Sequence, residues 1–484
     1  MSYTKIAHAA PFAGAPRLQN PAMYGASPEK PILYRIPVLG ERPIKVTAVN
    51  LPEGLSLNER GFLTGSCAEG DYTVTLCAEN ALGKDTKPLT LEIHPNHIQL
   101  TPLLGFTSWN AYVQYVRQED MALAAKVMDE SGLAEYGYSF INTDSSWQGS
   151  YGGQYDAIQP NEKFPDMQGL IDDVHSRGFK FGIYSTPMRE AWGKAPESPN
   201  PLPGCTRGEA DDRFSKSVFG IGVERMEKNN VRQWTEWGVD YLKYDWRPNE
   251  GVNADLMKQE LLKSSRDIAF CVTVQAKIDY ADYWKKNCTS WRCNRDSMDF
   301  WDVLMDVFKT YDPWIPHIGK GHFFDLDMLE LGSSGMNALD HNWERIGDLR
   351  VAPCQLTEDE QIVAFTMRAF LMSPIQISSH LDLMNEFERN LYCNEEILAI
   401  HRDALTKAAT VKLDEEDGER HLKVYEKELA DGSRAEAIFN IGETDVTYTL
   451  PETEQGYRDV WAKEDFSDHT LTLPPHSVRV VKIG

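Results

Sequence analysis

The chain has 484 residues, 42% hydrophobic and 25% charged, with a formal net charge of −24. This is the composition of a globular protein long enough for two or three domains. So acidic a surface repels phosphate backbones and anionic lipid, which argues against nucleic acid and membrane as partners and leaves neutral ligands open.

The first stretch, "MSYTKIAHAAPFAGAPRLQNPAMYG", lacks the apolar core of a signal peptide, and no run of about 18 apolar residues could span a bilayer. The eight cysteines are scattered without a CxxC or CxxH pattern, so the reading is reduced, packed thiols and a cytoplasmic protein. Residues 1–96 carry short β-type runs, "PILYRIP", "IKVTAVN", "DYTVTLCAEN" and "LTLEIHP", bounded by turn signals such as "LPEGLSLNERGFLTG". That spacing predicts a small antiparallel sandwich. The stretch "LPEGLSLNERGFLTGSCAEGDYTVTLCAEN" resembles an Ig-like module, with a packing or spacer role expected.

From 97 to 405 the texture alternates. Eight strand-like runs, "LLGFTSW", "YSFINTDSSW", "FKFGIYST", "VDYLKYDW", "DIAFCVTV", "CTSWRCNRD", "GHFFDLDML" and "SPIQISSH", are separated by helix-like stretches. In "MQGLIDDVHSRG", Leu170, Ile171 and Val174 share one helix face and Gly178 is the stop; in "TEDEQIVAFTMRAFLM", Thr357 and Glu360 fit a capping box. Eight βα repeats predict an α/β fold of the (β/α)8 TIM-barrel type, with an open doubly wound sheet as the competitor. Residues 406–484 return to strands, "HLKVYEKEL", "RAEAIFNI", "DVTYTL" and "SVRVVKIG", and predict a C-terminal antiparallel sandwich.

Barrel enzymes place their chemistry at the C-terminal ends of the strands. Those ends carry Trp109, Asp144, Tyr184, Lys243 with Asp245, Arg292 with Asp296, and Asp325 with Asp327. In "WGVDYLKYDW", alternation puts Tyr241, Lys243 and Asp245 on one face and Leu242 and Tyr244 on the other. One carboxylate at a strand end is commonly a structural ion pair, but a ring of polar and aromatic groups in one mouth is better explained by function. Two carboxylates suffice to break a glycosidic bond, one attacking the anomeric carbon and one protonating the leaving oxygen. Asp245 beside Lys243 is expected to stay ionised, as a nucleophile must, while Asp296 can act as the acid if its surroundings keep it protonated. Trp109 and Tyr184 offer apolar faces to a sugar ring, and Lys243, Arg292 and Asp144 offer directed hydrogen bonds.

The motifs "LTPLLGFTSWNAY", "FINTDSSWQG", "EWGVDYLKYDW" and "WRCNRDSMDFWD", with "FFDLDMLELG" and "NEEILAIHRDAL" further on, resemble the glycoside hydrolase family 27 of α-galactosidases and α-N-acetylgalactosaminidases, from about residue 98 to the C-terminus. Ig-like modules accompany some bacterial members. The resemblance implies a retaining exo-glycosidase without a cofactor or metal, acting on an oligosaccharide or glycoside. It makes Asp245 the nucleophile and Asp296 the acid/base, with Trp109, Asp144, Ser145, Tyr184, Lys243 and Arg292 at sugar-contacting positions.

The departures from the pattern concern specificity. Ser145 stands where the family has a second aspartate that grips sugar hydroxyls, and Phe106 where it commonly has tryptophan. Strand five, "FCVTVQAKID", lacks the Cys-Glu-Trp of eukaryotic members, and His380 replaces an aspartate. Ser146 and Arg247 occupy positions where secreted relatives carry disulfide cysteines, in keeping with a reducing compartment. The alternatives are the same mechanism on a β-L-arabinopyranoside, an α-N-acetylgalactosaminide or a modified galactoside, and a non-catalytic carbohydrate-binding barrel. A metal-dependent barrel hydrolase is weaker, because strand one has no His-x-His and His322 and His380 are isolated. Asp325 and Asp327 are read as braces of the barrel mouth, outside the catalytic set. The sequence does not set the oligomeric state.

Overall fold

Eight parallel strands make one sheet: β1 (Leu104–Thr107), β2 (Phe140–Thr143), β3 (Lys180–Ser185), β4 (Tyr241–Asp245), β5 (Ala269–Thr273), β6 (Ser290–Trp291), β7 (Phe323–Phe324) and β8 (Ile375–Ile377). They stand side by side in chain order, with β8 beside β1. A parallel bridge from Leu329, just past β7, to Ile377 joins the last pair. The barrel, rather than the open sheet, is therefore the fold, and every predicted strand run contributes one strand. The computed structural model describes residues 2–193, 200–214, 216–247, 249, 251–340, 344–346 and 349–484.

The sequence features that form the helices are visible in place. Helix Met167–Ser176 buries Leu170, Ile171 and Val174, and the Asp166 carboxylate caps it by accepting from the Gly169 amide at 2.9 Å. Gly178 ends it in the left-handed region at φ 78°, where a Cβ would also press on the Phe62 ring of the N-terminal module. Thr357 and Glu360 form the predicted reciprocal capping box on helix Glu358–Phe370. On β4, Leu242 and Tyr244 are fully buried toward the helices, and the Tyr244 hydroxyl reaches Glu227 of helix Glu227–Trp237. Lys243 and Asp245 turn inward, as alternation requires. The lumen below them is polar: Asn142 donates to Gln376 at 2.8 Å, and Gln376 donates to Tyr241 at 3.3 Å.

The N-terminal module has a four-stranded sheet facing a three-stranded one, with its own core around Val74, Leu76, Leu89 and Leu91. It differs from an all-antiparallel sandwich in one pairing: Met23–Ala26 runs parallel to Thr90–Ile93. Arg35 pins the module to the bottom of the barrel, with Asp129 at 2.7 Å, Glu135 at 2.8 Å and the Phe62 and Phe179 rings around it. Ahead of the module, residues 2–9 lie elsewhere. Ser2, Tyr3 and Thr4 bond the Asp359 carboxylate, and the Ala7 amide donates to the Trp461 carbonyl, against the barrel and the C-terminal sandwich.

The C-terminal sandwich is antiparallel throughout, with a six-stranded sheet and a two-stranded one. Its strands Thr410–Asp417, Tyr457–Asp459, Glu464–Phe466 and Thr470–Leu473 have no counterpart in the sequence reading. The first of them, an edge strand of mostly exposed charged residues, bears no apolar alternation to betray it. All eight cysteines are free thiols. Among the described residues no helix is long and apolar enough to cross a membrane.

Candidate active site

At the C-terminal ends of the strands a cavity of about 240 Å³ opens, and every predicted site residue lines it. Trp109 starts the short helix Trp109–Tyr112 after β1, Asp144 and Ser145 follow β2, and Tyr184 lies in β3. Lys243 and Asp245 end β4, Arg292 follows β6, and Asp296 lies four residues beyond it.

Asp245 sits at the floor between two hydroxyl donors, Tyr184 Oη at 3.0 Å on one carboxylate oxygen and Thr273 Oγ1 at 2.9 Å on the other. The β4–β5 register places Thr273 directly opposite Asp245. Lys243 Nζ donates to Asp144 Oδ2 at 2.7 Å, a pair almost closed to solvent. Arg292 Nη2 donates to Asp296 Oδ1 at 2.6 Å, and its Nη1 pairs with Asp327. The side chain of Arg292 is 4% exposed and that of Asp296 is 80% exposed, so the two carboxylates of interest occupy different levels, Asp245 at the floor and Asp296 at the rim.

The electrostatics correct one expectation. Burial pushes the Asp245 carboxyl above its ordinary value, and Lys243, Arg292 and the two hydroxyl donors only partly offset it. The influence of Lys243 is present, but desolvation outweighs it. Burial also works against the Lys243 ammonium, yet Asp144, Asp327 and Asp245 together hold it well above the ordinary lysine range. Arg292 is likewise kept charged against burial, mainly by Asp327 and Asp296. Burial, with Asp245 alongside, raises the Tyr184 phenol far above its usual range, so it remains a donor.

Asp327 braces the mouth as expected. Its carboxylate grips Arg292 and accepts from the Ser297 amide at 2.7 Å, and Asp325 in turn accepts from the Asp327 amide at 2.8 Å. His322 lies before β7 beside the Trp291 ring, and His380 packs edge-on against Tyr112 with Asp382 at 3.5 Å; neither lines the cavity. Among the described residues no group of three or more His, Cys, Asp or Glu side chains is arranged to hold a metal ion.

Sequence reasoning missed several members. Thr273 could have been found by aligning strand ends across the sheet. Trp192 could not, because it lies past the end of β3 in neither a strand nor a helix, where no periodicity marks a residue. Arg247, noted only as a departure, lines the rim with its guanidinium 5.0 Å from the Trp192 ring. Ser145 is buried, and its hydroxyl donates to the Trp192 carbonyl. Val274, Met298, Met328 and Met336 supply an apolar side.

The chain matches the family model described as alpha galactosidase A over residues 112–197 and 217–344. It also matches the alpha galactosidase C-terminal beta sandwich domain over 419–483 and an Ig-domain model over 15–94. An α-galactosidase of Oryza sativa subsp. japonica is 25% identical over 402 residues, covering 80% of this chain and 85% of the relative. Two Bacteroides fragilis crystal structures are similar over nearly the whole length. One, provisionally named α-galactosidase, is 26% identical with a TM-score of 0.81, covering 98% of each chain. The other, provisionally named α-galactosidase/melibiase, is 27% identical with a TM-score of 0.83, covering 98% of this chain and 99% of its own.

Proposed function

Since the chain belongs to the α-galactosidase family, family 27 of the glycoside hydrolases, and is a glycoside hydrolase, we propose that it removes terminal α-galactoside-type sugars with retention, using Asp245 as nucleophile and Asp296 as acid/base. One observation carries this reading: a buried carboxylate aimed by Tyr184 and Thr273 shares one cavity with an exposed carboxylate at the rim. A cavity of about 240 Å³ suits one sugar ring and not a chain, which favours exo action.

In the first step Asp245 attacks the anomeric carbon while the bond to the leaving oxygen breaks and that oxygen takes the Asp296 proton. In the second, Asp296 accepts a proton from water, the water oxygen bonds the anomeric carbon, and the ester to Asp245 is released. The hydrogen bonds from Tyr184 and Thr273 fix which Asp245 oxygen faces the sugar. The Lys243–Asp144 pair and Arg292 present hydrogen-bonding groups to the sugar hydroxyls, and Trp109 presents an apolar face.

The altered wall favours a second reading, the same mechanism on another sugar such as a β-L-arabinopyranoside, an α-N-acetylgalactosaminide or a modified galactoside. The family's second aspartate is here Ser145, whose hydroxyl is engaged with Trp192. We place the module boundaries near residues 96 and 405. The eight free thiols support a reducing, cytoplasmic setting. The deciding experiment is a panel of nitrophenyl α- and β-glycosides followed by NMR of the first-formed anomer. An inverted first product refutes the mechanism, and the sugar turned over fastest identifies the glycone.

A further inference from the structure

Three cations line the cavity, and they are not equivalent. Lys243 is paired with Asp144, and Arg292 with Asp296 and Asp327. Arg247 is exposed, and among the described residues it has no carboxylate partner; its neighbour is the Trp192 ring, 5.0 Å away. In a chain with 73 acidic and 49 basic residues, a cation without an acidic partner among the described residues at the rim of a cavity is conspicuous. It is also well anchored. The Trp192 ring packs edge-on against Phe219 at 4.8 Å, its carbonyl accepts from Ser145, and a Cβ on the next residue, Gly193, would meet Ser146 and Trp109. An aromatic face thus holds a guanidinium over the opening, with an uncharged serine beside it.

We propose that Trp192 and Arg247 form a subsite for the leaving-group unit, and that this unit carries an anionic group, a carboxylate or a sulfate. This rests on the glycosidase reading above and adds the substrate class. The level of the two residues decides the side: Asp245 is at the floor with the scissile sugar, whereas Arg247 shares the exposed rim with Asp296, the group that meets the leaving oxygen. Trp192 offers a ring for the unit's apolar face, and the guanidinium offers a two-pronged donor suited to a planar or trigonal oxyanion. The anion is drawn toward a cation that has no carboxylate partner among the described residues, so the acidity of the remaining surface does not exclude it.

The test compares three disaccharides sharing the preferred glycone: one with a neutral reducing unit, one with a uronic acid and one with a sulfated sugar. A nitrophenyl glycoside serves as the reference for turnover. Wild type is expected to prefer at least one anionic disaccharide over the neutral one by about tenfold or more in kcat/KM, as for one charge-assisted contact. In Arg247→Gln the anionic-to-neutral ratio is expected to fall by about 10–100-fold, and in Arg247→Lys by less. Which anionic arm is favoured tells carboxylate from sulfate. Because Arg247 is exposed, the variants should fold, and the ratio is internal to each protein. A wild type that turns over the aryl glycoside without preferring either anion, or an unchanged ratio in Arg247→Gln, overturns the proposal alone. No turnover of any glycoside overturns the glycosidase reading and this proposal with it.

Discussion

Arg368 lies 1% exposed within helix Glu358–Phe370, where a sequence reading sees only a charged residue in a helix. Its guanidinium donates to the carbonyls of Leu326, Asp327 and Met328 at 3.1–3.2 Å, to Ser297 Oγ at 3.0 Å and to its own helix at Ala364. These acceptors belong to the segment bearing Asp327 and to the neighbour of Asp296, so one side chain holds both partners of Arg292. Replacing Arg368 with Met leaves four acceptors outside the helix without their donor, a gross loss of about 4–6 kcal/mol at roughly 1–1.5 kcal/mol each. Part is returned because the variant buries no charge, and burial already pulls the Arg368 guanidinium down to about 10. A net destabilisation of about 2–3 kcal/mol is therefore expected, together with a larger fall in kcat than rise in KM, because catalytic geometry loosens more than the floor contacts. Urea unfolding and steady-state kinetics on an aryl glycoside measure both. A variant as stable and as active as wild type refutes the argument that Arg368 organises the mouth.

Asp245→Asn should abolish turnover and raise the melting temperature. The folded-state pKa of Asp245 is raised, so its stabilising contribution is present below the unfolded value and lost as pH rises through the folded one. The gain of the variant should accordingly grow between acidic and neutral pH, and an equal gain at all pH values would rule out this origin. For the same reason the acid limb of kcat/KM should lie above the roughly 3.9 of an unperturbed aspartate, and a limb at or below it counts against the Asp245 nucleophile as the group titrating there. Replacing Asp296 should slow poor leaving groups much more than activated aryl glycosides; equal losses on both would argue for another acid. Lys243→Met strands Asp144 in a nearly closed site and should cost about 3–5 kcal/mol, readable as a lowered urea midpoint. Ser145→Asp restores a carboxylate to the wall but removes the donor to Trp192. It should raise turnover of simple α-galactosides over wild type, and unchanged turnover would show that this position does not set the sugar.

The barrel was legible because each strand run is short and apolar and helix-like stretches separate the runs, two of them with readable ends at Gly178 and Thr357, so period and punctuation agree. The site was legible where chemistry sits on strands: Tyr184, Lys243 and Asp245 are fixed by alternation, and Asp144 and Arg292 follow strands directly. Trp192 was lost because irregular backbone offers no register. The direction of the Asp245 shift was lost because a neighbouring lysine can be read from sequence, whereas the depth at which both are buried cannot. The edge strand Thr410–Asp417 was lost for a related reason, since an exposed strand needs no apolar pattern and only its pairing with Arg420–Glu428 defines it.

Residues 2–9 bear on how the enzyme can be used. A module carried on a flexible linker swings, and averages its position over a volume set by the linker's length. Here the chain is sewn to Asp359 and Trp461 before the Ig-like module begins, the module is pinned by Arg35, and the chain then enters β1. Anchored on both sides, the module turns with the barrel as a fixed stand.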